Sequence, residues 1–324
     1  MHQELNKPVS YSKNLTLLSI STFLFGFACI LLGYLFLPFA AASYATLLRY
    51  EKKNRKIFSY AIPVAIYAIN ILFNGFFSLE GVIYVAVGVM IYLFNLKERS
   101  KNEAVFWITF TLSAFILFSF FAIGFTSNGS LSFSALRAYY AGIYDSLKRV
   151  FVSIISSIST ADEEGTLFFL FTRENAENIF HSLVLALPSL VIVIAFILTG
   201  ITFKLFDFFT TRVFPEANEN FGIFIPTKFL AYSFISIAIL SVLSSSSPDI
   251  FAISINNVNN VLTAVFAYFG LKIAYSIVKN TRGSLFAVLL IVVALVLFGT
   301  TAITLLSFIG VFFALSAKEY GKSA

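Results

Sequence analysis

Residues 15–48 read LTLLSISTFLFGFACILLGYLFLPFAAASYATLL, with no charged side chain anywhere in the run. A helix rises 1.5 Å per residue, so about 20 residues cross the hydrocarbon core of a bilayer. This block is too long for one ordinary crossing and long enough for two short ones. Gly33 and Pro38 sit near its middle. Glycine bends the chain freely and proline cannot continue a helical hydrogen-bond ladder. The expectation is a tight hairpin with spans at 15–31 and 34–49.

The same reasoning extends outward. Residues 284–317 form a second overlong apolar block, with Gly299, Thr300 and Thr301 at the expected bend. A third hairpin is expected at Asn74, Gly75 and Ser78, between a span over 57–75 that carries Pro63 and one over 79–96. Single spans are expected at 104–126, 179–203, 225–246 and 257–279. With the halves of the last block at 284–299 and 301–317, about ten crossings result.

Composition agrees with this reading. The 324 residues are 59% hydrophobic and only 12% charged, with mean hydropathy +0.89, where soluble domains carry about 25% charged residues. A water-soluble fold is excluded. The expected class is an all-α polytopic protein of the cell membrane, multi-pass, whose medium is the lipid bilayer. The positive net charge of +6 is then a matter of loop placement and not of nucleic acid.

Lysine and arginine are retained in short cytoplasmic loops. Ten crossings place Lys7 and Lys13, the cluster Arg49 to Lys56, Lys97, Arg99 and Lys101, then Lys204, Arg212 and Lys228, Lys279 and Arg282, and Lys318 and Lys322 on one side. The other side keeps only Arg137, Lys148, Arg149 and Arg173, and Lys272 falls within a span. Both termini come out cytoplasmic, as an even number of crossings requires. Reading either long block as one span would push a strongly basic loop outside. A cleaved leader ending at Ala40-Ala41-Ala42 is disfavoured, because its apolar run far exceeds the usual 7–15 residues or so.

The chain thus divides into a five-helix membrane half over 1–126, an external acidic segment over 127–178, and a second five-helix membrane half over 179–324. Within the external segment Leu136, Tyr140, Ile143, Leu147, Val150 and Ile154 recur at alternating spacings of four and three. That spacing marks a helix with one apolar stripe. The stripe either lies in the outer membrane interface, with Tyr139, Tyr140 and Tyr144 at headgroup level, or packs over the bundle as a lid.

Catalytic patterns are missing. The two histidines, His2 and His181, fall at different levels, and no phosphate-binding glycine loop, metalloprotease helix or nucleophile elbow occurs. Cys29 is the only cysteine, so neither a disulfide nor a cysteine metal site can form. No cofactor is implied, and no enzyme activity.

Polar residues inside spans are costly and mark candidate sites. The eighth span opens on Asn256-Asn257-Val258-Asn259-Asn260 and carries Lys272 further along. Asn256 and Asn260 are four apart and share a face, continued by Thr263 and Ala267. Asn256, Asn260, Thr263 and Lys272 are therefore the candidate substrate-binding residues. The asparagines serve either as a helix cap or as amide groups lining a cavity open to the outside. Lys272 either reaches toward headgroups or pairs with a carboxylate such as Asp207. Asn70, alone in the third span, reads as a helix-to-helix hydrogen bond.

The run Gly200-Ile-Thr-Phe-Lys204-Leu-Phe-Asp207, then Phe221-Gly-Ile-Phe224-Ile-Pro226, the asparagine run, and Tyr268-Phe-Gly270-Leu resembles, in order and spacing, the YybS-like family of bacterial membrane proteins. The resemblance covers roughly 180–317 and implies no catalytic residues. The first half is more distantly similar to the S-components of energy-coupling-factor transporters, which capture vitamins or metal ions from outside. Those proteins dock on their coupling subunit through an Ala-x-x-x-Ala pattern, and Ala41 with Ala45 is the nearest match here. The implied function is capture of a small-molecule ligand from the outer side, related to transport. With no nucleotide motif in this chain, partner transporter or ATPase subunits would supply the energy. The alternative is a non-enzymatic protein of membrane assembly or cell-envelope organisation.

Overall fold

The computed structural model describes residues 7–51, 57–74, 80–97, 100–128, 133–160, 173–213, 226–244, 250–279 and 284–316. Several expectations lie outside them: the turn at Gly75 and Ser78, the basic run Lys52 to Lys56, Arg99, the acidic triplet Asp162 to Glu164, the stretch Phe221 to Ile225, Arg282, Lys318 and Lys322, and His2.

Among the described residues the protein is all-α, without strands. The helices are α1 (Lys7–Leu32), α2 (Leu37–Glu51), α3 (Ile57–Asn74), α4 (Glu80–Leu96), α5 (Lys101–Asn128), α6 (Phe133–Thr160), α7 (Arg173–Leu185), α8 (Leu187–Val213), α9 (Lys228–Ser244), α10 (Ile250–Lys279) and α11 (Ser284–Ser316). Five apolar stretches among them are long enough to cross a membrane: Asn14–Tyr50, Lys101–Gly124, Leu187–Val213, Ile250–Val278 and Leu297–Ser316. Shorter apolar helices cover Ser59–Phe73, Gly81–Leu96 and Lys228–Ser244. Leu72, Val242 and Phe312 are among many large apolar side chains left open on the outside, as a protein whose surroundings are hydrocarbon requires.

Both glycines expected at bends are where the backbone breaks. Gly33 has φ 65 and opens a 3-10 turn, Gly33–Phe36, between α1 and α2. Pro38 then occupies the first turn of α2, where a missing N–H costs nothing. The chain reverses there, since the Phe25 and Phe39 rings lie 5.4 Å apart. In α11 the break is Gly299, at φ 42 and ψ −109.

Two compact units emerge: Met1–Phe180 with Ile194–Ile223, and His181–Val193 with Phe224–Ala324. In the first, α2 is enclosed by α1, α3 and α4. Ala40, Ala41, Ala42 and Ala45 are fully buried, and their small size lets neighbouring backbones come close. A methyl placed on Gly88 of α4 would meet the Ala41 carbonyl oxygen at 3.0 Å. The Ala41–Ala45 pair is thus spent inside this unit and not on its surface. Hydroxyls in this interior donate to their own helix, as Thr46 does to the Ala42 carbonyl at 2.9 Å and Ser43 to Ala40 at 3.0 Å, which removes the penalty of carrying them into lipid. Tyr44 donates to the Ser59 carbonyl of α3 at 3.0 Å. Asn70 of α3 is buried and meets α4 at Gly81, where an added methyl would come 2.8 Å from the Asn70 Cβ.

In the second unit, Phe234 of α9 stacks on Phe266 of α10, with centroids 5.2 Å apart. Ala231, Leu262, Phe269, Val311 and Ala314 complete the core. Helices α10 and α11 touch backbone to backbone. A methyl on Gly270 would overlap the Leu306 carbonyl oxygen, and one on Gly310 would overlap that of Phe266.

Candidate functional site

The four asparagines of α10 begin with a sequence preference and end with four different surroundings. Successive helical residues turn by 100°, so the run points around most of the helix. Asn256 turns to α9, where the Ser241 hydroxyl donates to its Oδ1 at 2.5 Å. Asn257 turns to the junction of α7 and α8. Asn259 carries its Oδ1 into the interior, buried and without a hydrogen-bond partner among the described residues. Asn260 is exposed.

The junction explains Asn257. Pro188 lies one residue inside α8 and has no N–H to give to the preceding turn. The helix opens between Leu185 and Ser189, and the Asn257 carboxamide fills the gap. Its Oδ1 accepts from the Ser189 N–H at 3.1 Å, and its Nδ2 donates to the Leu185 carbonyl at 3.0 Å. Those are the donor and acceptor that would pair with each other in an unbroken helix. Nδ2 also donates to the Ile253 carbonyl of its own helix at 3.0 Å, so every hydrogen of this amide is used. On either side the ladder continues, from the Ala186 N–H to the Ser182 carbonyl and from the Leu190 N–H to the Ala186 carbonyl, both at 3.0 Å.

Asn256 and Asn260 do share an exposed face, and Thr263 below them is half-buried. Lys272 is also half-buried, but it follows Asn260 by twelve residues, about 18 Å of helix rise. Ser241 and Asn256 touch, and Asn259 and Asn260 follow about one turn along α10. Of these, Asn259 offers a buried acceptor and Asn260 an open amide. An unpaired acceptor at such depth calls for a water or a ligand donor.

A second polar group lies within the first unit. Thr109 of α5 donates to Thr199 of α8 at 3.3 Å. At the end of the same seam, Asp207 Oδ1 and Thr210 Oγ1 are buried without a hydrogen-bond partner among the described residues. The charge that acts on Asp207 is Lys101, whose ammonium also lies 5.5 Å from the Phe203 ring centroid. The sequence signal was present: Thr199, Phe203 and Thr210 recur at helical spacing with Asp207 beside them. Only the partner helix was missing.

No group of three or more histidine, cysteine or acidic side chains suited to a metal occurs among the described residues. No family model, curated protein or solved structure matches the chain.

Proposed function

We propose that this is a solute-binding, transport-related protein of the cell membrane that captures a small polar molecule from the outer side. The observation that carries the reading is the buried, unpaired Asn259 acceptor beside the open Asn260 amide. Binding sites in helical membrane proteins are built from such convergent polar groups among apolar helices. The resemblance to the YybS-like family read over residues 180–317 is part of the same proposal. Energy would come from a partner subunit.

The expected result is a ligand that co-purifies or, in a panel of vitamins and metal ions, raises the melting temperature of the detergent-solubilised protein. Asn260→Ala should weaken that ligand about tenfold, the loss of roughly 1.4 kcal/mol expected for one hydrogen bond to a bound molecule. Asn70→Ala should lower stability while leaving affinity unchanged. A panel without any shift, together with protein that carries nothing, would reject the proposal.

The topology proposed with it has ten crossings and both ends in the cytoplasm. It rests on the basic loops and on the backbone breaks at Gly33 and Gly299. Reporter tags on the two ends should be shielded alike in intact cells; tags reached from opposite faces would refute it.

The alternative is a membrane-assembly protein whose basic cytoplasmic loops and acidic outer segment contact partners. A stable complex with envelope proteins and without transporter subunits would select it.

A further inference from the structure

Helix α6 has three edges with different fates. Along one, Tyr144 and Phe151 close on Phe180 of α7, at centroid distances of 5.2 and 5.6 Å. On the same edge Lys148 pairs with Glu177 at 2.8 Å, and this hydrogen bond holds the Lys148 ammonium above its ordinary pKa. Asp145, Ser146, Arg149 and Ser153 form a second, polar and exposed edge. The third edge is Leu147, Val150 and Ile154, which are 55%, 56% and 52% exposed. Three large aliphatic side chains in one row, more than half uncovered, need an apolar neighbour.

Where α6 is pinned identifies that neighbour. The Tyr140 hydroxyl donates to the Phe120 carbonyl of α5, in the part of that helix's membrane-length stretch away from Lys101. Phe180 precedes in the chain the membrane-length stretch Leu187–Val213. Helix α6 is thus flanked in the chain by two membrane-length stretches and tied to the first of them. The tyrosines 139 and 140, with rings 5.3 Å apart, belong to the residue type that favours that layer.

The geometry points to α6 lying flat in the membrane interface, with Leu147, Val150 and Ile154 in the acyl region and the Asp145, Ser146, Arg149 and Ser153 edge in water. The occupant of the stripe is lipid, so α6 is a lateral float for the segment between α5 and α7 and does not fold over the bundle as a lid. This goes beyond the solute-binding proposal and stands if that proposal fails.

Single spin labels at 146, 147, 149, 150, 153 and 154 test it, in a Cys29→Ala background of the full chain in phosphatidylcholine–phosphatidylglycerol vesicles. Labels at 147, 150 and 154 should collide with oxygen more than with a water-soluble nickel complex, and those at 146, 149 and 153 should do the reverse. Nickel reaching all six equally would put the stripe in water and overturn the inference. Shielding of 147, 150 and 154 from both relaxers would mean that protein covers the stripe, either a lid contact or a second copy, and would overturn it too. Should Cys29→Ala fold poorly, the same labels can be placed in the wild-type background, because Cys29 is buried.

Discussion

Asn257→Leu should destabilise the protein by about 2–5 kcal/mol, because it strands two backbone groups at once. A buried donor or acceptor left unpaired costs about 1–3 kcal/mol, and the Leu185 carbonyl, on the exposed side of the junction, should lie toward the lower end. Leucine has the same branched heavy-atom skeleton as asparagine and is the bulkier of the two, so none of the loss would come from a cavity. Asn257→Asp should also be damaging, since it keeps the acceptor for Ser189 N–H but loses both donors. The loss should reside at the α7–α8 junction, so amide exchange at Ser189 and Leu190 should quicken before that of α9. Pro188→Ala supplies a control. With an N–H restored at 188 the two helices can join, Ser189 can donate to Leu185 directly, and the carboxamide becomes dispensable. The double variant Pro188→Ala with Asn257→Leu should therefore recover part of the stability lost by Asn257→Leu alone, measured by thermal unfolding in detergent. Equal losses with and without the proline would show that the carboxamide is not bridging the break.

The second large effect is expected at the crossing of α10 and α11. Gly270→Ala and Gly310→Ala each set a methyl against a carbonyl oxygen of the other helix's backbone, and a backbone cannot swing aside as a long side chain can. Overpacking costs typically about 1–3 kcal/mol, and these two should reach the upper end, through parting of the helices and loss of their close van der Waals and Cα–H contacts. The double variant should cost less than the sum, because helices already separated by one methyl accommodate the other. Gly142→Ala on α6, where an added methyl has nothing within 4 Å, should be neutral or slightly stabilising through helix propensity. If all three substitutions behaved alike, the close approach would be wrong.

Much of the architecture was legible because lipid imposes simple rules. The apolar blocks, the breaks at Gly33 and Gly299, and the striped helix over 136–154 follow from length, charge and periodicity, which are properties of a segment by itself. The candidate site was legible only as a location. Asn256 to Asn260 stood out as polar residues in an apolar helix, but which asparagine meets which neighbour depends on the partner. Asn257 looked like its companions until Pro188, more than sixty residues away, was seen to leave a gap of its size. Gly270 stood out within the family-like run, whereas Gly310 gave no signal, since a glycine in an apolar helix says nothing of which helix it faces. Lys101, a charge that acts on Asp207, gave no signal, because only the pairing of α5 with α8 brings it there. The stripe of α6 was read as a single apolar face. In the folded chain Tyr140 turns to α5, with Tyr144 and Phe151 beside the stripe turning to α7, which leaves Leu147, Val150 and Ile154 uncovered.

Gly33 makes no close contact: an added methyl would touch nothing within 4 Å, so its φ of 65 alone calls for glycine. An insertion apparatus that weighs greasiness over windows of about 19 residues finds no pause between Leu15 and Leu48. The two arms would have to enter together, already folded back with Phe25 against Phe39. In the proposed ten-crossing topology, the compartment reached by each later loop would then hang on the rotation of one residue near the start of the chain.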